Sequence, residues 1–144
     1  MWREKILELH PSSSFSDPAS EDQIVKTEQT LGVTIPSELN QLLRETNGVI
    51  GEYGLAIVWP VERIRKENVS FRSSLDFAKM YMSFDQLLFF ADAGNGDLFG
   101  YVVLQGRIRS SNIFAWNHEN DSRNWVAPSL TTYLEWWLKG KMKL

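Results

Sequence analysis

The chain has 144 residues, a formal net charge of −3, a hydrophobic fraction of 43% and no cysteine. This length fits one domain, and six tryptophans supply ample apolar surface for one core, so we expect residues 1–144 to form a single domain. The absence of cysteine excludes disulfides, thiolate catalysis and cysteine-ligated zinc, and it agrees with a reducing, cytoplasmic compartment.

The charge is unevenly distributed. The first 60 residues carry nine acidic and four basic side chains, whereas residues 101–144 carry three acidic and six basic ones. An acidic N-terminal half repels nucleic acid and favours a basic protein partner, although a solvated helical surface is a simpler explanation. The N-terminus lacks the apolar segment of a secretion signal, and no apolar run approaches the ~20 residues that span a bilayer, so we expect no membrane partner.

Helices are predicted near the N-terminus, in the middle of the first half, and at the C-terminus. Residues 1–10 form a short amphipathic pattern, and residues 10–20 read as a loop. A capping box, Ser20-Glu21-Asp22-Gln23, begins a helix that Gly32 ends. A proline-initiated helix follows from Ile35-Pro36 to Asn47-Gly48. Ser129 caps the last helix.

Strands are predicted between these helices. Residues 55–59, 87–91, 98–104 and 112–116 are apolar runs bounded by turn residues, and residues 60–69 read as a further helical turn or two. The segment 92–97 contains Asn95-Gly96, which predicts a β-hairpin with positive φ at its glycines. Sequential hairpins flanked by helices predict an α+β fold with a mainly antiparallel sheet and helices packed against it.

The sequence offers little material for catalysis. His10 and His118 are its two histidines. Ser122, His118 and Asp121 could be assembled into a triad on paper, but no nucleophile-elbow motif accompanies them. We therefore expect the protein not to be an enzyme, and His118 to be a polar residue at a strand end.

Neither a metal site nor a nucleotide site is predicted. Asp92, Asn95 and Asp97 invite a calcium interpretation, but glycine occupies positions three and five of the EF-hand spacing and Val103 occupies position twelve. Turn chemistry explains the same residues more simply. The glycines are not followed by a helix that could hold phosphate. We expect no cofactor and no metal.

Nucleic-acid binding is also disfavoured by the aromatic strands. Phenylalanine and tyrosine flank the predicted hairpin as they do in RNA-binding sheets, but residues 84–106 contain no lysine or arginine to hold phosphates. The basic tail at Lys139, Lys141 and Lys143 is ordinary compensation of a helix dipole.

The order of motifs resembles the SUKH superfamily, which includes the fungal Smi/Knr cell-wall regulators and many bacterial immunity proteins. The first block is Ile24-x3-Glu28-x2-Leu31-Gly32-x2-Ile35-Pro36-x2-Leu39-x2-Leu42-x4-Asn47-Gly48. The second runs from the 87–103 hairpin through Trp116, His118 and Glu119 to Val126-Ala127-x-Ser129-Leu130-x2-Tyr133-Leu134. The resemblance covers roughly residues 20–139 and implies an α+β fold with a binding role.

The resemblance implies an immunity protein that binds and neutralises a cognate bacterial toxin, such as a nuclease. The alternative is a regulatory scaffold of the Smi/Knr type, and a small hydrolase using His118 is a third. Acidic and aromatic side chains at strand ends and in loops are the candidate partner contacts: Glu52, Tyr53, Asp92, Asp97, Glu119, Asp121 and Trp125. For any one acid, solubility of the sheet edge is the simpler explanation.

Overall fold

The computed structural model describes residues 1–142 and Leu144, so Lys143 of the basic tail lies outside the described residues. Six helices and seven strands are described. In chain order they are α1 (Trp2–Leu9), β1 (Ser14–Phe15), α2 (Glu21–Leu31), α3 (Ser37–Glu45), β2 (Val49–Ile50), β3 (Ala56–Val58), α4 (Val61–Ser73), α5 (Leu75–Met80), β4 (Leu87–Asp92), β5 (Leu98–Val102), β6 (Ile113–Trp116), β7 (Arg123–Ala127) and α6 (Leu130–Leu138). A 3-10 turn, Glu52–Gly54, separates β2 from β3.

The strands form two antiparallel sheets, which confirms the predicted α+β class. The smaller sheet has the order β1-β2-β3, and the larger is a meander in the order β4-β5-β6-β7. The four predicted strands correspond to β3, β4, β5 and β6. Strands β1, β2 and β7 and helix α5 were not predicted: β1 and β2 have two residues each, too few to show alternation, and the N-terminal half of β7 is polar.

The local signals at the ends of α2 are confirmed. The Ser20 hydroxyl accepts from the Gln23 backbone N–H, and the Gln23 side chain accepts from the Ser20 backbone N–H. Gly32 follows with φ 66°, the left-handed conformation that a side chain resists. Helix α3 then buries Leu39, Leu42 and Leu43 completely. These caps fix where the first two core helices start and stop.

The larger sheet is covered on both faces. On one face, Phe89 packs with Phe71 of α4 and with Phe84 and Trp116, at ring-centroid distances of 5.2–5.7 Å. On the other face, Phe90 and Phe99 contact Tyr133 of α6. Both faces join one continuous core. A strand buried on both sides reads as an unbroken apolar run, which is why β4 lacks alternation.

The outer edge of β4 is closed by side chains. Asn68 of α4 is 1% exposed. Its Nδ2 donates to the Phe89 carbonyl at 2.9 Å, and its Oδ1 accepts from the Phe89 N–H at 2.9 Å. Arg72, one turn farther along α4, donates to the Leu87 carbonyl at 3.0 Å. Helix α4 thus supplies the hydrogen bonds that a neighbouring strand would otherwise make.

A bulge in β4 links the two sheets. Between Phe89 and Ala91 the register with β5 shifts, so Phe90 has no partner there. The Phe90 carbonyl instead accepts from the N–H of buried Trp59, directly after β3, at 2.7 Å. Because the bulge frees this carbonyl, the smaller sheet is attached to the same edge of β4 that α4 closes.

Replacing Asn68 tests this closure. Asn68→Ala removes three buried hydrogen bonds and leaves both polar groups of Phe89 without a partner, so we expect unfolding to become easier by about 3 kcal/mol. Chemical denaturation measures the change. Asn124→Ala, at an exposed position on β7, is the matched control and should change stability by less than about 0.5 kcal/mol. Equal effects of the two substitutions would show that the edge of β4 needs no such closure.

Candidate functional site

Three turns lie side by side at one end of the sheets. We call them together the loop rim: residues 52–55, residues 92–97 and residues 117–122. A Cβ placed on Gly94 would lie 3.5 Å from Leu55, so the first turn lies against the hairpin. On the hairpin's other side, His118 contacts Asp97. The hairpin therefore separates the other two turns, and Glu52 and Glu119 lie on opposite sides of it.

The hairpin turn has the predicted geometry. The Ala93 N–H donates to the Asp97 carbonyl at 3.0 Å, and the Asn95 side chain accepts from the Asp97 N–H at 3.0 Å. Gly94 and Gly96 have φ values of 94° and 98°, as expected for a turn that only glycine adopts without strain. Among residues 1–142 and 144, no group of three or more His, Asp or Glu side chains is placed to hold a metal ion.

Asp97 ties the hairpin to the third turn. Its Oδ1 accepts from the His118 backbone N–H at 3.0 Å and lies 2.6 Å from His118 Nδ1. Partial burial acts to raise the pKa of Asp97. The hydrogen bonds and charge of His118 have the larger opposite effect, so the pKa of Asp97 lies below its usual value. The Tyr81 hydroxyl also donates to the His118 carbonyl at 2.8 Å. His118 therefore links the third turn to Asp97 of the hairpin and to Tyr81, which directly follows α5.

Asp121 makes a second set of internal contacts that holds the rim in place. Its carboxylate accepts from Trp116 Nε1 at 2.8 Å, from the Met82 N–H at 2.9 Å and from Arg123 at 3.1 Å. Burial acts to raise the pKa of Asp121, but these hydrogen bonds and the Arg123 charge lower it below the usual value. The Asp121 carboxylate is engaged with these partners. The triad of Ser122, His118 and Asp121 is not formed, because His118 contacts Asp97 instead.

Glu52, Tyr53 and Glu119 are the candidate partner contacts of the rim that are exposed to solvent. Within the described part of the chain, neither glutamate side chain makes an ion pair or a hydrogen bond. The Tyr53 side chain is 99% exposed and its backbone has φ 56°, a conformation that bulky residues rarely adopt. These three side chains are accessible at the surface, whereas the carboxylates of Asp97 and Asp121 are hydrogen-bonded within the fold.

Asp92 and Trp125 are partly exposed, and each contacts another side chain. Asp92 ends β4 and binds Arg63 of α4 through both carboxylate oxygens, at 2.9 and 3.0 Å. Trp125 lies on β7, beyond the third turn, and packs edge-on against Trp136 of α6. It is half exposed and donates to Asn112. Trp125 is thus separate from the other six candidate contacts.

A cavity of about 540 Å³ opens beside the first turn. Its apolar wall includes Leu55, Ala56 and Pro60, and its charged groups are Glu52, Asp92 and Arg63. The Arg63 guanidinium lies 4.4 Å from the centre of the Trp59 ring. Sequence reasoning missed Arg63 and Leu55, because neither shows a local pattern and both act through contacts distant in sequence.

Comparison with known families identifies the chain. A family model described as SMI1-KNR4 cell-wall matches residues 21–134, well over half of the sequence. The chain therefore belongs to the SMI1-KNR4 family, and the predicted relationship to the SUKH superfamily is confirmed. None of the curated proteins compared with the chain matches it significantly. Every helix within residues 1–142 and Leu144 is too short or too polar to cross a bilayer.

Alanine substitutions at two glycines separate backbone strain from crowding in the rim. Gly96 and Gly106 both have positive φ, but only at Gly96 would a Cβ meet His118, at 2.9 Å. We expect Gly106→Ala to cost about 1 kcal/mol and Gly96→Ala about 2 kcal/mol, because displacing His118 also breaks its contact with Asp97. Thermal denaturation measures both. Equal losses would mean that the His118 contact adds nothing.

Acid titration tests whether the charged Asp121 carboxylate and its contacts stabilise the fold. Because its folded pKa is lowered, Asp121 stabilises the fold above its unfolded pKa of about 3.9, and this contribution is lost as pH falls through the folded pKa. We expect Asp121→Asn to melt at lower temperature than wild type at pH 7, with the difference shrinking below about pH 4. Asparagine tolerates the φ of 60° at this position. Asp17→Asn removes the same charge at an exposed carboxylate and is the matched control. A difference between Asp121→Asn and wild type that stays constant across pH would rule out a stabilising role for the Asp121 charge.

Proposed function

We propose that this protein is a stoichiometric immunity protein, which binds a toxin of the same bacterial cell in the cytoplasm and blocks its active site. The observation that carries the proposal is the loop rim, where Glu52, Glu119 and Tyr53 project from one end of a rigid core without internal partners. Exposed aromatic residues are frequent interface anchors, and free carboxylates attract a basic surface such as that of a nuclease.

The internal contacts of the rim support a binding role. Arg63 pairs with Asp92, His118 with Asp97, and Arg123 with Asp121, so the turns are held in place before any partner arrives. Preorganised loops lose less conformational entropy on binding, which favours affinity. We also propose that the protein is not an enzyme, since His118 and Asp121, the base and the acid of the triad considered from the sequence, are engaged in holding the turns.

A regulatory scaffold is the second candidate. The description of the matching family refers to the cell wall, which favours a role in which the same rim holds an endogenous partner. The two candidates differ in what they do to a toxin. Only an immunity protein should protect a cell against a toxic domain encoded next to its own gene.

The immunity proposal is tested by co-expression. The proposal predicts that a toxic domain is encoded beside this gene, and that cells producing this domain survive when they also produce the wild-type chain. The double variant Glu52→Lys, Glu119→Lys should fold normally, lose protection and bind the toxic domain at least about fivefold more weakly, with a flatter dependence on salt.

A matched double reversal outside the rim is the control. Glu4→Lys, Asp22→Lys changes the net charge equally at exposed residues, and it should keep protection. Failure of the wild-type chain to protect would overturn the immunity role in favour of the scaffold. Equal binding by both double variants would overturn the rim as the contact surface.

A further inference from the structure

The cavity beside the first rim turn has the dimensions and composition of a binding site. Its volume of about 540 Å³ falls within the ~300–1,000 Å³ typical of ligand pockets. Aliphatic groups of Ile50, Leu55, Ala56 and Pro60 form its apolar wall. A cavity that joins an apolar wall to a few charged groups selects a ligand with an apolar stem and a charged end.

The charge of the cavity is negative. The positive charge of Arg63 is matched by Asp92, which it holds through two hydrogen bonds, while its guanidinium lies over the Trp59 ring. Glu52 has no such counter-charge within the described part of the chain. The carboxylate of Asp92 also retains acceptor capacity, because a carboxylate offers about four lone-pair sites. The unmatched charge at the cavity is therefore that of Glu52.

The turn that carries Glu52 is fixed in shape. The Gly51 N–H donates to the Leu55 carbonyl at 2.8 Å, which closes the turn. Tyr53 and Gly54 both have positive φ, at 56° and 74°. A bulky residue held in this conformation is strained, and such strain concentrates at binding sites. The turn places the fully exposed Tyr53 ring beside the cavity, where an aromatic face can attract a cation.

We propose that this cavity receives a lysine or arginine side chain of the protein partner, with the stem against Leu55 and Pro60 and the cation at Glu52. The assignment rests on the proposed partner-binding function and adds the chemistry of one contact. A purely apolar group would leave Glu52 desolvated without a counter-charge, and an acidic group would be repelled by it. A basic side chain satisfies both the wall and the charge.

A peptide titration tests the cavity without the toxin. The probe is the peptide acetyl-Gly-Arg-Gly-amide. Its binding is monitored through the amide NMR signals of the ¹⁵N-labelled full chain. The reference is the same peptide with citrulline, which keeps the shape of arginine but has no charge. We expect saturable shifts at Tyr53, Gly54, Leu55 and Gly94, and about fivefold weaker binding of the citrulline peptide.

Two conservative variants locate the effect. Glu52→Gln should weaken arginine binding by about fivefold, whereas Glu4→Gln, at an exposed glutamate of α1 outside the rim, should not change it. The proposal is overturned if arginine and citrulline peptides bind equally, if the shifts cluster elsewhere, or if no saturable shift appears at millimolar peptide. The outcome is independent of cell protection: a chain that protects cells but ignores the arginine peptide loses this assignment alone.

Discussion

The closed outer edge of β4 is the constraint on which the rest of the structure depends. A strand buried on both faces must still pair its backbone, and here a helix does so through the Asn68 side chain rather than through another strand. The same edge holds the smaller sheet through Trp59 and Phe90. Because Asn68 fixes the position of α4 against β4, it also fixes Arg63, five residues earlier on α4, opposite Asp92. The core interaction thereby determines the geometry of the cavity.

The loop rim combines two kinds of carboxylate that look alike in the sequence. Asp97 and Asp121 hold turns together through hydrogen bonds that lower their pKa values, whereas Glu52 and Glu119 project into solvent. In the proposed binding role, different residues of one surface thus hold the turns and contact the partner. The free positions could therefore change without disturbing the hydrogen bonds that hold the turns.

Local chemistry made much of the fold predictable. Ser20 and Gly32 mark the ends of α2, and Asn95-Gly96 marks the hairpin, because caps and turns depend on neighbours in sequence. Strands β1 and β2 were too short to show a pattern. The distinction between bound and free acids was also beyond reach, since Arg63 meets Asp92 and His118 meets Asp97 only through the folded chain. Trp125 was grouped with the rim for its type, and its place on β7 sets it apart.

The meander also has a consequence for synthesis on the ribosome. Strands β4 to β7 pair only with their neighbours in sequence, so they can assemble through local contacts as soon as they emerge. The face that carries Phe90 and Phe99 is covered by Tyr133 of α6, which follows all four strands in the chain. Until α6 has emerged, the nascent sheet exposes an aromatic surface of the kind that aggregates or recruits chaperones.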